Sequence, residues 1–222
     1  MAGTTVRDDG LVEQAFTVAF AGQGVAPGTP QHDRMLAVVR KTMGRSRVEV
    51  FRLLLDGDEV ATQAANDTFE EAYGLLVDEG AVLPIPGAVE AIRTLRAAQV
   101  KVALMTGFAR STQEAIVDAL GWWNEVDLVL SPADAGRGRP YPDLVMVAAL
   151  RLGVEDINKV VVVGDTPLDL MSGKRAGAGM LVGVLTGAGD RQAMHAAGAT
   201  HVIGSIGELP SLLGVERRFA VH

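Results

Sequence analysis

The chain has 222 residues, 48% of them hydrophobic and 21% charged, with a formal net charge of −7. This length allows a sizeable buried core, and the acidic balance with mostly dispersed basic residues is unlike that of a nucleic-acid-binding protein. No apolar run approaches the roughly 20 residues of a membrane helix, and the absence of cysteine excludes disulfides, thiolate metal sites and a cysteine nucleophile. We expect a cytoplasmic monomer or homodimer with neither nucleic acid nor membrane as partner.

The first third of the chain is predicted to be helical. Residues 1–10 are small and polar, and residues 11–80 carry apolar positions at helical spacing without a strand-like run. Thr29 followed by Pro30 marks one helix start within this region. The prolines of LPIPG, residues 83–87, then predict a stiff extended hinge.

Helices and strands alternate after this hinge. The predicted strands cover residues 100–105, 127–130, 160–163, 180–184 and 201–203. Such alternation predicts an α/β fold with a doubly wound, Rossmann-like parallel sheet that has helices on both faces. We therefore divide the chain into a core, residues 1–10 and 84–222, and a helical cap with its hinge, residues 11–83.

Two aspartates follow the third predicted strand. Asp165 stands at the carboxyl end of that strand, and Asp169 lies four residues later on the first turn of a helix that begins at Pro167. Ligands bind at this edge of parallel sheets, and a pair of carboxylates there suits a hard cation such as Mg²⁺. The alternative is that Asp165 caps the helix and Asp169 only favours its N-terminus.

Two further strand ends carry polar groups. Thr106 stands where the strand over residues 100–105 ends, and Gly107 lets the following amides approach an anion. Arg139, held extended before a proline, presents a guanidinium that can fork onto phosphate or carboxylate oxygens. The alternatives are a hydroxyl that caps the next turn for Thr106 and a solvated loop position for Arg139.

Five short motifs occur in an order typical of one family. They are MAGTTV at 1–6, RKTMG at 40–44, TGFAR at 106–110, GRPYP at 138–142 and GDTPLD at 164–169. Through these motifs the chain resembles the haloacid dehalogenase superfamily of phosphoryl-transfer hydrolases. Within that superfamily it is most similar to the phosphonoacetaldehyde hydrolase branch and its phosphonatase-like relatives.

The resemblance implies a Mg²⁺-dependent hydrolase that acts on a small phosphorylated or phosphonate metabolite through an aspartyl-phosphate intermediate. In that mechanism Asp165 and the carbonyl of Ala2 hold Mg²⁺, and Asp169 supports the metal or its waters. Thr106 and Arg139 bind the phosphoryl oxygens and stabilise their developing charge, and these two residues with Asp169 are the implied catalytic residues.

Two positions near the first residue depart from the family pattern. In this branch the nucleophilic aspartate precedes x-A-G-T, so MAGTT places Met1 directly after that aspartate, which the chain as given does not contain. We expect the true start to lie upstream, so that the first central strand and its nucleophile are missing here. Ala2 stands where most phosphatases of the family carry a second aspartate as general acid, a group worth roughly 10²- to 10⁴-fold in rate.

The predicted cap departs from the pattern as well. Where phosphonatases carry a lysine that forms an imine with the substrate aldehyde, this chain has Arg47, which cannot form one, and its only cap lysine is Lys41. Ser46 and Glu49 predict a capping box, so Arg47 would begin a helix where it and nearby Arg45 suit a bound phosphate or carboxylate. The alternative is that Arg47 is a solvated arginine at a basic helix end.

Two other functions compete with this interpretation. A non-catalytic protein would hold a phosphorylated ligand in the same crevice without turnover. A haloacid dehalogenase would need no Mg²⁺ acid pair, so the presence of Asp165 and Asp169 argues against it.

Overall fold

The computed structural model describes residues 1–215. Between residues 11 and 78 every regular element is a helix, as the apolar spacing predicts. These helices are α1 (Leu11–Gly22), α2 (Pro30–Lys41), α3 (Arg47–Leu54) and α4 (Glu59–Asp78). No helix in residues 1–215 is long and apolar enough to cross a membrane.

The starts of α2 and α3 show which local sequence signals predict a helix start correctly. Thr29 caps α2 by accepting a hydrogen bond from the amide of His32, and Pro30 occupies the first helical position, as predicted. The capping box predicted for Ser46 and Glu49 is wrong, because the Ser46 side chain makes no capping hydrogen bond. The first amide of α3, that of Arg47, donates instead to a carbonyl outside the helix, so a tertiary contact positions this end.

Aromatic side chains hold the four helices together and join them to the rest of the fold. Phe16 of α1 and Phe69 of α4 lie with ring centroids 4.8 Å apart. Phe108 packs against Tyr73 of α4 at 4.5 Å between centroids. Because Phe108 follows the first strand of the α/β region, the segment after that strand is fixed against α4.

The α/β region contains five parallel strands. They are β1 (Ala103–Met105), β2 (Leu128–Leu130), β3 (Val161–Gly164), β4 (Met180–Val184) and β5 (His201–Ile203). Its helices are α5 (Ala88–Ala97), α6 (Arg110–Leu120), α7 (Asp143–Arg151), α8 (Pro167–Ala176), α9 (Arg191–Ala196) and α10 (Leu209–Leu212). The predicted α/β class with parallel strands is confirmed, and the last two strands have the predicted bounds.

The strands form two sheets rather than the single predicted one. One sheet pairs β1 with β2, and the other has the order β3-β4-β5. A groove with a volume of about 670 Å³ is lined by β1 and by the segment Val160 to Val163. Val162 is buried, but Val161 and Val163 are only partly so. Val161 and Val163 stay partly exposed because, among the described residues, β3 pairs along one edge only.

Two segments run side by side where the chain enters and leaves the four helices. The amide of Arg7 donates to the carbonyl of Leu83 at 2.8 Å, and the amide of Ile85 donates to the carbonyl of Thr5 at 2.9 Å. This pairing fixes the Pro-rich segment predicted as a hinge. The division into a cap of residues 11–83 and a core of residues 1–10 and 84–222 stays a prediction.

Candidate active site

A cavity of about 660 Å³ opens where β1, β3 and β4 end, and residues of α1, α2 and α3 line it as well. Six of the residues singled out from the sequence line it: Ala2, Arg47, Thr106, Gly107, Arg139 and Asp165. Asp169 lies behind this group and contacts it through Arg139. Arg45 contributes its backbone to the surroundings, and its side chain is partly exposed.

Asp165 is a buried carboxylate whose hydrogen-bond partners are neutral. It is 5% exposed, and its oxygens accept hydrogen bonds from the Thr4 hydroxyl at 2.8 Å and from the Ala188 amide at 3.2 Å. Burial raises the pKa of Asp165, and the negative charge of Asp169 raises it further. A bound cation would oppose both effects, because it stabilises the ionised carboxylate.

Two glycines make room for this carboxylate. A Cβ atom added to Gly3 would lie 2.2 Å from Oδ2 of Asp165, and one added to Gly187 would lie 2.1 Å from the same oxygen. Gly3 also has a φ of +77°, which disfavours other residues. The sequence pattern did not identify Thr4, Gly187 or Ala188 as site residues, although a glycine a few residues after a strand, such as Gly187 after β4, can signal close approach of the backbone to another group.

Both carboxylate oxygens of Asp169 have hydrogen-bond or ion-pair partners. Thr166 caps α8, and Oδ2 of Asp169 accepts hydrogen bonds from the amide and hydroxyl of Thr166 at 3.1 and 2.6 Å. Oδ1 of Asp169 forms an ion pair with Nη1 of Arg139. Burial raises the pKa of Asp169, but the charge of Arg139 and the hydrogen bonds outweigh it, so the pKa is lowered. Asp169 therefore orients Arg139, and the helix cap is Thr166 rather than Asp165.

Thr106 and Gly107 stand at the end of β1. Thr106 is 2% exposed, and its hydroxyl accepts a hydrogen bond from the amide of Phe108 at 3.3 Å. A Cβ atom on Gly107 would lie 2.8 Å from the carbonyl oxygen of Arg45 and 3.3 Å from Nη2 of Arg139. Only glycine fits here, so the strand end, Arg139 and the segment before α3 meet at one point. The turn-capping alternative for Thr106 is compatible with this geometry.

The segment before α3 reaches the cavity through its backbone and through Arg47. The amide of Arg47 donates to the carbonyl of Gly107 at 3.4 Å. Arg47 is 6% exposed, which excludes the alternative of a solvated arginine. Arg139 is likewise mostly buried, with 13% of its side chain exposed. Lys41 is exposed and does not line the cavity.

The oxygen donors at this cavity fit a magnesium ion. Asp165 supplies a carboxylate, and no described residue donates a hydrogen bond to the carbonyl of Ala2, which lines the same cavity. Within residues 1–215 there is no group of three or more His, Cys, Asp or Glu side chains suited to a metal. A site with few protein ligands suits Mg²⁺, which keeps several waters and dehydrates reluctantly.

The parallel α/β fold gathers a carboxylate, a hydroxyl and a guanidinium at the carboxyl-terminal side of its strands, where ligands bind in such folds. The family model of haloacid dehalogenase-like hydrolases matches residues 1–177. The chain belongs to this family, and it is a hydrolase.

Curated relatives narrow the comparison within the family. A phosphonoacetaldehyde hydrolase of Bacteroides fragilis is 30% identical, over 90% of this chain and 87% of its own length. One from Bordetella avium is 28% identical, over 93% of this chain and 85% of its own length. The chain is thus similar to phosphonoacetaldehyde hydrolases along nearly its whole length.

Solved structures agree with this placement. A phosphonoacetaldehyde hydrolase-like protein from Oleispira antarctica superposes with a TM-score of 0.81 at 25% identity, covering 96% of this chain and 88% of that chain. A hydrolase from Pseudomonas syringae gives a TM-score of 0.82 at 24% identity, covering 96% of this chain and 94% of that chain. The second likeness concerns the fold alone.

Proposed function

We propose that this protein is a cytoplasmic, Mg²⁺-dependent hydrolase of a small phosphorylated or phosphonate metabolite. One observation carries the proposal: Ala2, Asp165, Thr106, Gly107 and Arg139 converge on a single cavity although they come from four separate parts of the chain. The names of the curated relatives support a phosphonate or phosphate ester as the substrate.

Each group has a role in this proposal. The carboxylate of Asp165 and the carbonyl of Ala2 would hold the metal. Bound there, Mg²⁺ would neutralise negative charge on the phosphoryl oxygens. The Thr106 hydroxyl, the Gly107 backbone and the Arg139 guanidinium would bind those oxygens and stabilise the charge that develops on them. Asp169 would hold Arg139 in place.

The resemblance to the family implies an aspartate as the nucleophile in this proposal. A carboxylate oxygen attacks phosphorus, the bond to the leaving group breaks, and water then hydrolyses the aspartyl phosphate to inorganic phosphate.

The imine route of phosphonatases is disfavoured for this chain. None of the described residues that line the cavity is a lysine. Arg47 stays protonated in the pH range of enzymes and forms no imine. We therefore propose direct phosphoryl transfer from a phosphate monoester, whose alcohol oxygen leaves with the P–O bonding electrons and takes a proton from water.

The test is an assay of the purified protein. Phosphate release from a panel of phosphonates and phosphate monoesters is measured with Mg²⁺ and with a chelator. We expect Mg²⁺-dependent phosphate release that is lost in Asp165→Asn. Turnover that survives Asp165→Asn or chelation would contradict the metal assignment. Binding without turnover would favour the non-catalytic alternative, and halide release from a haloacid would favour the dehalogenase.

A further inference from the structure

Arg47 is a buried cation without a full set of partners. It is 6% exposed, and its Nε atom has no hydrogen-bond partner among the described residues. Its Nη1 reaches only the carbonyl oxygen of Arg45, at the long distance of 3.5 Å. No carboxylate of a described residue forms an ion pair with it. A buried guanidinium in this state is costly unless a ligand supplies the missing acceptor.

The surroundings of Arg47 are mainly aromatic. Its guanidinium carbon lies 4.8 Å from the ring centroid of Phe108, 5.6 Å from that of Phe69 and 5.9 Å from that of Phe16. Ring faces attract a cation, but they offer no acceptor in the guanidinium plane. The planar fork of donors therefore stays available to an anion.

The acidic groups near Arg47 do not pair with it directly. Glu70 accepts a hydrogen bond from the Ala109 amide at 3.1 Å, and Asp8 accepts one from the Val12 amide at 3.1 Å. Both carboxyl groups act on Arg47 through their charge, but neither forms a hydrogen bond or an ion pair with its guanidinium among the described residues. Burial lowers the pKa of Arg47, and Arg139 lies near enough for its charge to lower that pKa further.

Arg47 also has a fixed position relative to the phosphoryl-binding groups. Its amide is bonded to the carbonyl of Gly107, and its side chain lines the same cavity as Thr106 and Arg139. A ligand whose phosphoryl group meets Thr106 and Arg139 would thus present its remaining atoms to the cavity that Arg47 lines. Arg47, like Arg139, has an Nε without an acceptor among the described residues, but Arg139 has an ion pair with Asp169 and Arg47 has none.

We infer that Arg47 binds a carboxylate on the substrate, so that the substrate class is small phosphonates or phosphate monoesters that carry a carboxylate rather than an aldehyde. This inference rests on the proposed function. A charge-assisted, forked contact accounts for the unpaired guanidinium and for the absence of a cavity lysine.

The test is a binding measurement that needs no turnover. Titration calorimetry with saturating Mg²⁺ compares phosphonoacetate with phosphonoacetamide, which has the same shape but no carboxylate charge. A second pair, 2-phosphoglycolate and its amide, shows whether the phosphorus group is an ester or a phosphonate. We expect the carboxylates to bind about 10- to 100-fold more tightly than the amides. Arg47→Met should remove this preference, and Arg47→Lys should retain part of it.

The outcomes separate the inference from the proposed function. Equal binding of acid and amide by the unmodified chain would overturn the role of Arg47 while leaving phosphoryl binding intact, and this comparison requires no variant to fold. A preference that persists in Arg47→Met would overturn it as well. If none of the four compounds binds, and Asp165→Asn changes nothing, the proposed function fails and the inference fails with it.

Discussion

Gly44 touches Thr166. A Cβ atom added to Gly44 would lie 2.6 Å from the hydroxyl oxygen of Thr166, and Gly44 has a φ of +97°. Gly44 belongs to the segment between α2 and α3, whereas Thr166 caps α8 and holds Asp169. The helical segment and the loop that carries the acid pair therefore meet without a side chain between them.

Gly44→Ala should destabilise the fold and weaken the binding of phosphonates. The added methyl group collides with Thr166, and a left-handed φ adds roughly 1–2 kcal/mol of its own. Urea unfolding and phosphonate titration measure the two effects. The matched control is Gly57→Ala, which has a φ of +81° and nothing within 4 Å, so it carries the backbone strain alone. If both variants bind phosphonates equally well, the contact does not matter for the site.

Asp169→Asn should destabilise the protein by about 3–5 kcal/mol, because it leaves the buried guanidinium of Arg139 without its charged partner. Only 13% and 8% of the two side chains are exposed. Chemical denaturation of the metal-free protein measures this. Glu125→Gln breaks the more exposed pair with Arg93 and serves as control, with a much smaller expected loss. A similar decrease in the free energy of unfolding in the two variants would mean that Arg139 relaxes into solvent.

Glu70→Gln should become relatively more stabilising as the pH rises. Burial raises the pKa of Glu70 above its ordinary value of 4.5. A raised folded-state pKa gives stability that is present below pH 4.5 and is lost as the pH rises through the folded value. Glutamine does not ionise, so the variant does not lose stability in this way as the pH rises. Thermal melts of both proteins from pH 4 to pH 8 measure the difference, with the exposed neighbour variant Glu71→Gln as control. A difference that does not change with pH would show that Glu70 is not penalised by burial.

Gly187→Ala should weaken Mg²⁺ binding more than it weakens the fold. Its Cβ atom would lie 2.1 Å from Oδ2 of Asp165, so the carboxylate must move. The gain in melting temperature on adding Mg²⁺ reports the effect. Gly74→Ala in α4 is the control, because nothing lies within 4 Å and alanine should stabilise a helix there by roughly 0.5–1 kcal/mol. An unchanged Mg²⁺ response in Gly187→Ala would remove Asp165 from the metal site.

The local sequence pattern was sufficient to predict the helices and strands and several residues of the site. Helical spacing gave the all-helical segment, and Thr29 with Pro30 gave the start of α2, because hydrogen bonds within a few residues decide both. Strand ends gave Thr106, Arg139 and Asp165 as neighbours, since parallel strands bring their carboxyl ends to one edge.

Only the tertiary structure determined which partner each of those residues has. The sequence left Asp169 between capping and metal support, and the fold engages both of its oxygens, one with Thr166 and one with Arg139. It also buried Arg47 against three phenylalanine rings, which come from distant parts of the chain. Desolvation and charge pairing depend on groups far apart in sequence, so residue spacing predicts which groups meet but not which of them remain unpaired.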